Sequence, residues 1–330
     1  MKTTTIGETK KSDSNFMWST LVHLGSNMWN EEGNTAGREH RSTPCASPVF
    51  LFNRECWDSH MQELKDSGVN TLIIDIGEAL RYESHPEIAV SGSWDRATME
   101  AEVGKLKAMG FELVPKLNFS ACHDVWLKDY SRMLSTPVYY QVCKDLIEEV
   151  CEIFAPKYFH LGMDEENYAN QQRFLYAVVR NGELWWHDFY YLVDCVEKCG
   201  ARPWIWSDYA WKYPELFFKK MPKEVIQSNW HYSGKLYPTD EGFKEAYAVR
   251  MQTFELLDKY GYDQVPTGSS VWSSEKNFEL LTEYALTHIS PERLLGMMQT
   301  TWERIDPDWM HVHHKSAERI KAAKAWYENR

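Results

Sequence analysis

Eight short apolar segments alternate along the chain with segments of helical periodicity, and this alternation strongly limits the possible folds. The apolar segments are rich in β-branched and aromatic residues, which favour strands. In the segments between them, apolar residues recur at intervals of three and four, which predicts helices. The predicted strands cover 20–25, 69–76, 111–117, 158–163, 203–206, 225–230, 264–269 and 294–302.

Strands that alternate with helices predict a parallel sheet covered by helices, and eight repeats predict closure into a (β/α)8 TIM barrel. An open doubly wound sheet is the alternative, but neither G-x-G-x-x-G nor G-x-x-x-x-G-K occurs. We therefore expect a single barrel domain over 18–330, preceded by an extension over 1–17. The predicted helices cover 54–67, 94–109, 137–154, 187–199, 242–260, 275–287 and 310–327.

The charge balance argues against two classes of partner. With 36 basic and 48 acidic residues, the net charge is −12, which does not suit binding to nucleic acid or to an anionic membrane.

No apolar run approaches the ~20 residues that span a bilayer. The polar start has no apolar core of a signal peptide, and seven cysteines are typical of free thiols in a reducing compartment. The sequence predicts a cytoplasmic protein and does not indicate its oligomeric state.

The end of the fourth predicted strand carries the sharpest chemical signal, the sequence Asp164-Glu165-Glu166. TIM barrels place their active sites at the carboxyl ends of the strands. Two carboxyl groups in one pocket repel each other, so the pKa of one rises. A neutral acid beside a carboxylate is what cleavage of a glycosidic bond uses. Both side chains reach one pocket only if the strand ends or bulges at Asp164. The alternative interpretation is that the acidic residues begin a helix.

Aromatic and polar side chains follow other predicted strands. Tryptophans at three strand ends would form flat apolar walls suited to the C–H faces of sugars, although each alone is equally typical of a core. No compact group of histidines and carboxylates suggests a metal, so we expect neither metal nor cofactor. The residues concerned are Trp206, Trp230 and Trp302, together with His123, His160, Asp208 and Glu303.

These motifs resemble the catalytic barrel of family-20 glycoside hydrolases, the β-N-acetylhexosaminidases. The segment His160-x-Gly162-x-Asp164-Glu165 matches the family signature H-x-G-G-D-E, with Met163 in place of the second glycine. Five further segments resemble family motifs in the same order along the chain. They cover 81–87, 114–123, 200–208, 222–230 and 295–303.

The resemblance implies a retaining, exo-acting glycosidase that uses substrate-assisted catalysis on a carbohydrate. Glu165 would be the general acid/base, and Asp164 would hold the substrate's 2-acetamido group, whose oxygen attacks the anomeric carbon. The resemblance implies that the three tryptophans wall the sugar. It also implies that Asp208 and Glu303 contact substrate and that His123 and His160 support the acidic pair.

Three departures from the family pattern leave two alternatives open. Strand one lacks the family's arginine, the strand-seven tyrosine is replaced near 269–272, and Lys116 stands where an acidic residue is usual. The first alternative is a glycosidase for another sugar, with Asp208 or Glu303 as nucleophile. The second is a carbohydrate-binding barrel without catalysis.

Overall fold

A computed structural model describes residues 16–31, 46–171, 174–269 and 276–329. Within them, eight parallel strands form one sheet, and helices lie between successive strands. The predicted (β/α)8 barrel is therefore confirmed. Residues 1–15 of the predicted extension lie outside the described residues. Residue 17, the last residue of that predicted extension, is the first residue of a strand. The strands are β1 Met17–His23, β2 Thr71–Asp75, β3 Glu112–Lys116, β4 Tyr158–His160, β5 Arg202–Trp206, β6 Ile226–Ser228, β7 Thr267–Ser269 and β8 Gly296–Arg304.

The sheet closes on itself between β6 and β7. Its hydrogen-bonded order is β6-β5-β4-β3-β2-β1-β8-β7. The segments 227–230 and 264–267 then pair through two isolated parallel bridges. The backbone N–H of Thr267 donates to the carbonyl of Asn229 over 2.9 Å, and that of His231 donates to the carbonyl of Thr267 over 3.0 Å. Closure brings the carboxyl ends of all eight strands to one mouth.

The seven predicted helices are all present, and the described residues hold three further short α-helices that were not predicted. The largest error in a helix boundary is at the start of α5, which begins at Glu183 and not at the predicted residue 187. Trp185 and Trp186, in this additional turn, pack in the core and are each 1% exposed. The helices are α1 Arg54–Asp66, α2 Arg96–Ala108, α3 Pro137–Phe154, α4 Tyr168–Gln171, α5 Glu183–Lys198, α6 Tyr209–Lys212, α7 Pro214–Lys220, α8 Glu245–Lys259, α9 Asn277–His288 and α10 Met310–Glu328.

Side chains fill the barrel interior, so the barrel is a packed core with a site at one end. An inner apolar cluster includes Leu21, Ile73, Val114 and Met298, and it is separate from the larger cluster between strands and helices. The buried Lys116 ammonium forms an ion pair with Asp75, and each side chain is 1% exposed. Lys116, the departure noted in the sequence, thus has its counter-charge on the neighbouring strand.

None of the helices in the described part of the chain has the length and apolar character required to cross a membrane. Six cysteines lie in that part, and all six are free thiols.

Candidate active site

The chain leaves β4 through an irregular turn that brings two carboxyl groups together. Regular strand geometry ends at His160, and Gly162, Met163 and Glu165 all have positive φ, of 73°, 71° and 53°. Left-handed backbone at non-glycine residues costs about 1–3 kcal/mol each and persists only where surrounding contacts enforce it. As the sequence required, the strand ends before Asp164, and both acidic side chains reach His123.

His160 stabilises this turn. Its Nδ1 accepts a hydrogen bond from the backbone N–H of Gly162 at 3.0 Å, and its ring lies 4.8 Å from that of Trp206. Burial, together with the nearby Lys116 charge, holds the pKa of His160 well below its usual range. His160 is therefore neutral, and it supports the acidic pair by stabilising the turn rather than through a charge of its own.

Asp164 is held as a carboxylate. Asn118 Nδ2 donates to its Oδ1 at 2.9 Å, and His123 Nε2 lies 3.3 Å from its Oδ2. Burial alone would raise the pKa of Asp164, but the charge and proximity of His123, with help from Lys116 and Asn118, lower it well below its usual range. The group is thus a fixed hydrogen-bond acceptor at neutral pH.

Asn118 connects the ends of β3 and β4. Its Oδ1 accepts from the backbone N–H of Ser120 at 3.0 Å and of Met163 at 3.3 Å, while its Nδ2 binds Asp164. Gly162 packs directly against it, since a Cβ at position 162 would lie 2.0 Å from Asn118 Oδ1. The residue at 162 must therefore be glycine for Asn118 to stay in place.

His123 bridges the two acidic residues. Its Nε2 lies 3.3 Å from Asp164 Oδ2 and 3.5 Å from Glu165 Oε2. Burial opposes its protonation, but the two carboxylates outweigh burial and raise the pKa of His123 to about 10. The predicted repulsion between Asp164 and Glu165 is therefore offset by an imidazolium. The Glu165 side chain is 40% exposed against 11% for Asp164, so Glu165 is the more open of the two.

Asp208, after β5, is the carboxyl group of the cluster whose pKa is raised. Its Oδ2 accepts a hydrogen bond from the backbone N–H of Glu165 at 2.9 Å. Burial, followed by the charges of Asp164 and Glu165, raises the pKa of Asp208 to about 7. The raised carboxyl pKa expected at this strand end thus falls on Asp208, whereas the pKa of Asp164 is lowered.

The three predicted tryptophans lie together, connected by a tyrosine. Trp302 is 5.7 Å from Trp206 and 6.3 Å from Tyr232 between ring centroids, and Tyr232 stacks on Trp230 at 4.9 Å. We call Trp206, Trp230, Tyr232 and Trp302 the aromatic wall. Trp302 has a φ of 58°, so β8 is distorted where it joins the wall. The pKa of Tyr232 is raised by burial and further by Glu165 and Asp164, which places the wall within electrostatic reach of the acidic pair.

Two of the other positions considered in the sequence analysis lie next to the aromatic wall. Glu303 is buried on β8 directly after Trp302 and is 4% exposed. On β1, where the family has an arginine, His23 packs 5.8 Å from Trp302. Residues 270–272, where the strand-seven tyrosine was sought, lie outside the described residues.

Sequence analysis did not assign a role to three residues at this site: Asn118, Tyr232 and Arg250. Asn118 and Tyr232 stand one or two residues beyond predicted strands, a position that could have marked them. Arg250 belongs to α8, and no local pattern indicated it. Within the described ranges, no group of three or more His, Cys, Asp or Glu side chains could hold a metal ion.

The barrel has the fold found in family-20 glycoside hydrolases. A β-N-acetylhexosaminidase of this family from Streptomyces coelicolor A3(2) superposes with a TM-score of 0.64 at 12% identity, over 93% of this chain and 64% of that one. The β-hexosaminidase of Streptomyces plicatus, solved with GlcNAc, gives 0.62 at 12% identity, over 95% and 68%. The exo-β-N-acetylglucosaminidase of Vibrio harveyi gives 0.61 at 14% identity, over 94% and 54%.

Among curated proteins, the lacto-N-biosidase of Bifidobacterium bifidum is similar in sequence to this chain. The identity is 20% in an alignment 224 positions long, and the alignment covers 60% of this chain and 20% of that protein. This chain therefore spans a fifth of the length of that relative. No family model matches the sequence. The resemblance seen in the sequence motifs is confirmed for the fold.

Proposed function

We propose that this protein is a retaining, exo-acting glycoside hydrolase that releases a terminal β-linked 2-acetamido sugar by substrate-assisted catalysis. The observation that carries the proposal is one imidazolium, His123, within 3.5 Å of both Asp164 and Glu165 and near the aromatic wall. The similar solved structures include β-N-acetylhexosaminidases, which agrees with this choice of substrate.

In this proposal Asp164 acts on the substrate's acetamido group. A fixed carboxylate accepts a hydrogen bond from the amide N–H and so increases the electron density on the amide oxygen. That oxygen attacks the anomeric carbon, and the bond from this carbon to the leaving oxygen breaks. The positive charge that develops on the resulting oxazolinium ring lies beside the Asp164 carboxylate.

Glu165 transfers the proton. Its greater exposure suits a group that must meet the leaving oxygen at the mouth of the barrel. The neutral form of Glu165 is the one that reacts: as the glycosidic bond breaks, its proton goes to that oxygen, which leaves the carboxylate that lies beside the His123 imidazolium. In the second step the Glu165 carboxylate takes a proton from water, whose oxygen attacks the anomeric carbon and reopens the ring. The product keeps its β configuration, and Glu165 is again protonated.

The aromatic wall supplies the surface for the sugar. Indole faces pack well against C–H groups. Trp302 is partly exposed, and Trp206, inclined at 50° to it with ring centroids 5.7 Å apart, is 1% exposed and supports it. We assign Glu303 to the sugar hydroxyls as part of the same proposal. The free thiols of the described cysteines favour a reducing compartment.

One observation weighs against a protein nucleophile at Asp208. With a pKa near 7, this carboxyl is half protonated at neutral pH, and one oxygen already accepts a backbone hydrogen bond. Both features reduce its nucleophilicity. A covalent glycosyl-enzyme trapped on Asp208 or Glu303 would nevertheless establish this alternative mechanism.

The decisive experiment compares 4-nitrophenyl β-glycosides with and without a 2-acetamido group. We expect hydrolysis of the acetamido substrates, and Glu165→Gln should lower their kcat/KM by about 10²- to 10⁴-fold. Glu166→Gln is unsuitable as a control because Glu166 binds the buried Arg180, so the exposed Glu83→Gln serves instead. Full activity of Glu165→Gln would overturn the proposal. Binding of glycans without any hydrolysis would favour the non-catalytic alternative.

A further inference from the structure

The guanidinium of Arg250 lies in a corner formed by two indoles. Its central carbon is 4.6 Å from the ring centroid of Trp211 and 4.4 Å from that of Trp230. The two rings meet at 62° with their centroids 4.4 Å apart. Stacking on both rings covers the faces of the guanidinium but leaves the N–H donors at its edge available.

Arg250 differs from the other arginines in its lack of an acidic partner. Ten arginines lie in the described part of the chain, and nine have a carboxylate oxygen within 4.0 Å. Within that part, Arg250 is the one without such a partner, and its guanidinium donates no hydrogen bond there. The side chain is half-buried. In a protein of net charge −12, a cation this well positioned and still unpaired indicates a binding role.

The backbone at Arg250 is tied to the active-site end of the barrel. Asn229, at the end of β6, donates from Nδ2 to the carbonyl of Arg250 at 2.8 Å. The Oδ1 of the same amide accepts from Trp211 Nε1 at 2.9 Å. One asparagine thus fixes both the arginine and one of its two indoles. The other indole, Trp230, belongs to the aromatic wall.

The acidic residues of the site also act on Arg250 without pairing with it. Burial lowers the pKa of Arg250, whereas Tyr232 and Tyr247, followed by Glu165 and Asp208, act in the opposite direction. Arg250 is therefore in the electrostatic field of the proposed acid/base while its donors remain open.

We propose that Arg250 binds an anionic group of the glycan, so that the preferred substrate is an acidic 2-acetamido glycan. This inference rests on the proposed function for the site and names its substrate class. A planar guanidinium recognises sulfate, phosphate or carboxylate through paired N–H donors, and a guanidinium held between indoles loses little freedom on binding. The anion is either a substituent on the released sugar or the carboxylate of the adjoining sugar, and the two sources share this chemistry.

The test compares neutral and anionic substrates. The neutral substrate is 4-nitrophenyl N-acetyl-β-glucosaminide. Its 6-sulfate represents a substituent, and a disaccharide in which the N-acetylglucosamine is linked to glucuronic acid represents an acidic neighbour. We expect a higher kcat/KM for one anionic substrate, and Arg250→Met should lower that value by about 10- to 100-fold. The loss on the neutral substrate should be smaller, so that the ratio of anionic to neutral kcat/KM falls in Arg250→Met. Arg250→Lys should recover part of the difference.

A matched control is Arg319→Met, which removes an arginine paired with Glu279 on the outer helices. It should leave the ratio of anionic to neutral kcat/KM unchanged. An equal loss on both substrates in Arg250→Met would overturn the inference, because Arg250 would then only support Trp211 and Trp230. A wild type that prefers the neutral substrate would also overturn it.

A binding measurement separates this inference from the proposed function. Calorimetry with Glu165→Gln measures affinity for the 6-sulfated and neutral sugars without turnover. If the protein hydrolyses nothing but binds the anionic sugar through Arg250, catalysis fails and the inference stands. Equal affinity for both sugars, unaffected by Arg250→Met, would overturn the inference and leave the proposed catalysis untouched.

Discussion

The backbone N–H of Glu165 donates a hydrogen bond to Oδ2 of Asp208 at 2.9 Å. This bond connects the turn after β4 to the end of β5, and it fixes the left-handed conformation from which the Glu165 side chain projects. The position of the proposed acid/base thus depends on a carboxyl group that is not expected to transfer a proton itself. His123 fixes the same residue at its other end, through the carboxyl group.

Removal of the Asp164 charge should affect acetamido substrates most. Asp164→Asn keeps the shape of the side chain but lacks the negative charge that polarises the amide, so kcat/KM should fall by about 10²- to 10³-fold. The assay is hydrolysis of 4-nitrophenyl N-acetyl-β-glucosaminide, with Asp66→Asn as a surface control. A loss of equal size on a substrate without the acetamido group would contradict the assigned role.

Replacement of His123 should change both activity and stability with pH. Folding raises the pKa of His123 from 6.5 to about 10, so its protonation stabilises the native state fully below pH 6.5. That contribution is lost as the pH rises through about 10. His123→Gln should therefore reduce the free energy of unfolding more at pH 6 than at pH 9 in urea titrations.

The same variant should shift the acid limb of the kcat/KM profile to higher pH, because Asp164 loses the cation that keeps it ionised. The exposed His311→Gln is the control and should change neither measurement. A parallel loss of stability at both pH values would contradict the protonated state of His123.

His313 should weaken the fold in acid. It is buried, and burial followed by the nearby His60 lowers its pKa to about 3, while its Nε2 lies 2.9 Å from the carbonyl of Arg304. The unfolded state binds a proton below pH 6.5 that the native state does not bind. The contribution of this site to stability is therefore present above pH 6.5 and falls at lower pH, by at most about 1.4 kcal/mol per pH unit.

Urea titrations at pH 7, 6 and 5 measure this slope. We expect His313→Gln to be less stable than wild type at pH 7 but to lose less stability between pH 7 and 5. The exposed His311→Gln should follow the wild-type slope. A slope unchanged in His313→Gln would show that this histidine does not titrate with unfolding.

Loss of Arg180 should destabilise the segment that follows the acidic pair. Its guanidinium lies between Glu166 and Asp188, at 2.7 and 3.2 Å, and is 1% exposed. Arg180→Met leaves both carboxylates buried without their cation, so the free energy of unfolding should fall by about 3–5 kcal/mol. Arg81→Met, at an exposed pair, should change it by less than about 1 kcal/mol. Similar values for the two variants would contradict this account.

Much of the architecture could be predicted because each strand and long helix has its own local pattern. The boundaries of α3 were predicted at both ends, since Thr136 caps its start and Pro137 begins it. The start of α5 was predicted too late because Trp185 and Trp186 are helical through packing rather than through periodicity. The short helices α6 and α7, of four and seven residues, are too short to show a helical periodicity in the sequence.

The acidic pair could be found because its two residues are neighbours in the sequence. The tryptophans could be found because each stands at the end of a predicted strand. The charge states could not be found in the same way. The pKa of Asp164 is lowered because His123, 41 residues away in the sequence, lies next to it in the fold. The pKa of Asp208, 85 residues from His123, is raised because burial dominates there. Arg250 stands well past its strand, and its role depends on two indoles that only folding brings to it.

The tight contact at Gly162 makes the site vulnerable to changes in a residue that never meets substrate. Any side chain there would push Asn118 away and release Asp164 from its only amide donor among the described residues. In a mutational survey, position 162 would be as intolerant as the acidic residues themselves. A divergent relative that keeps the acidic pair but replaces this glycine would accordingly be expected to have lost the chemistry while it retains the barrel.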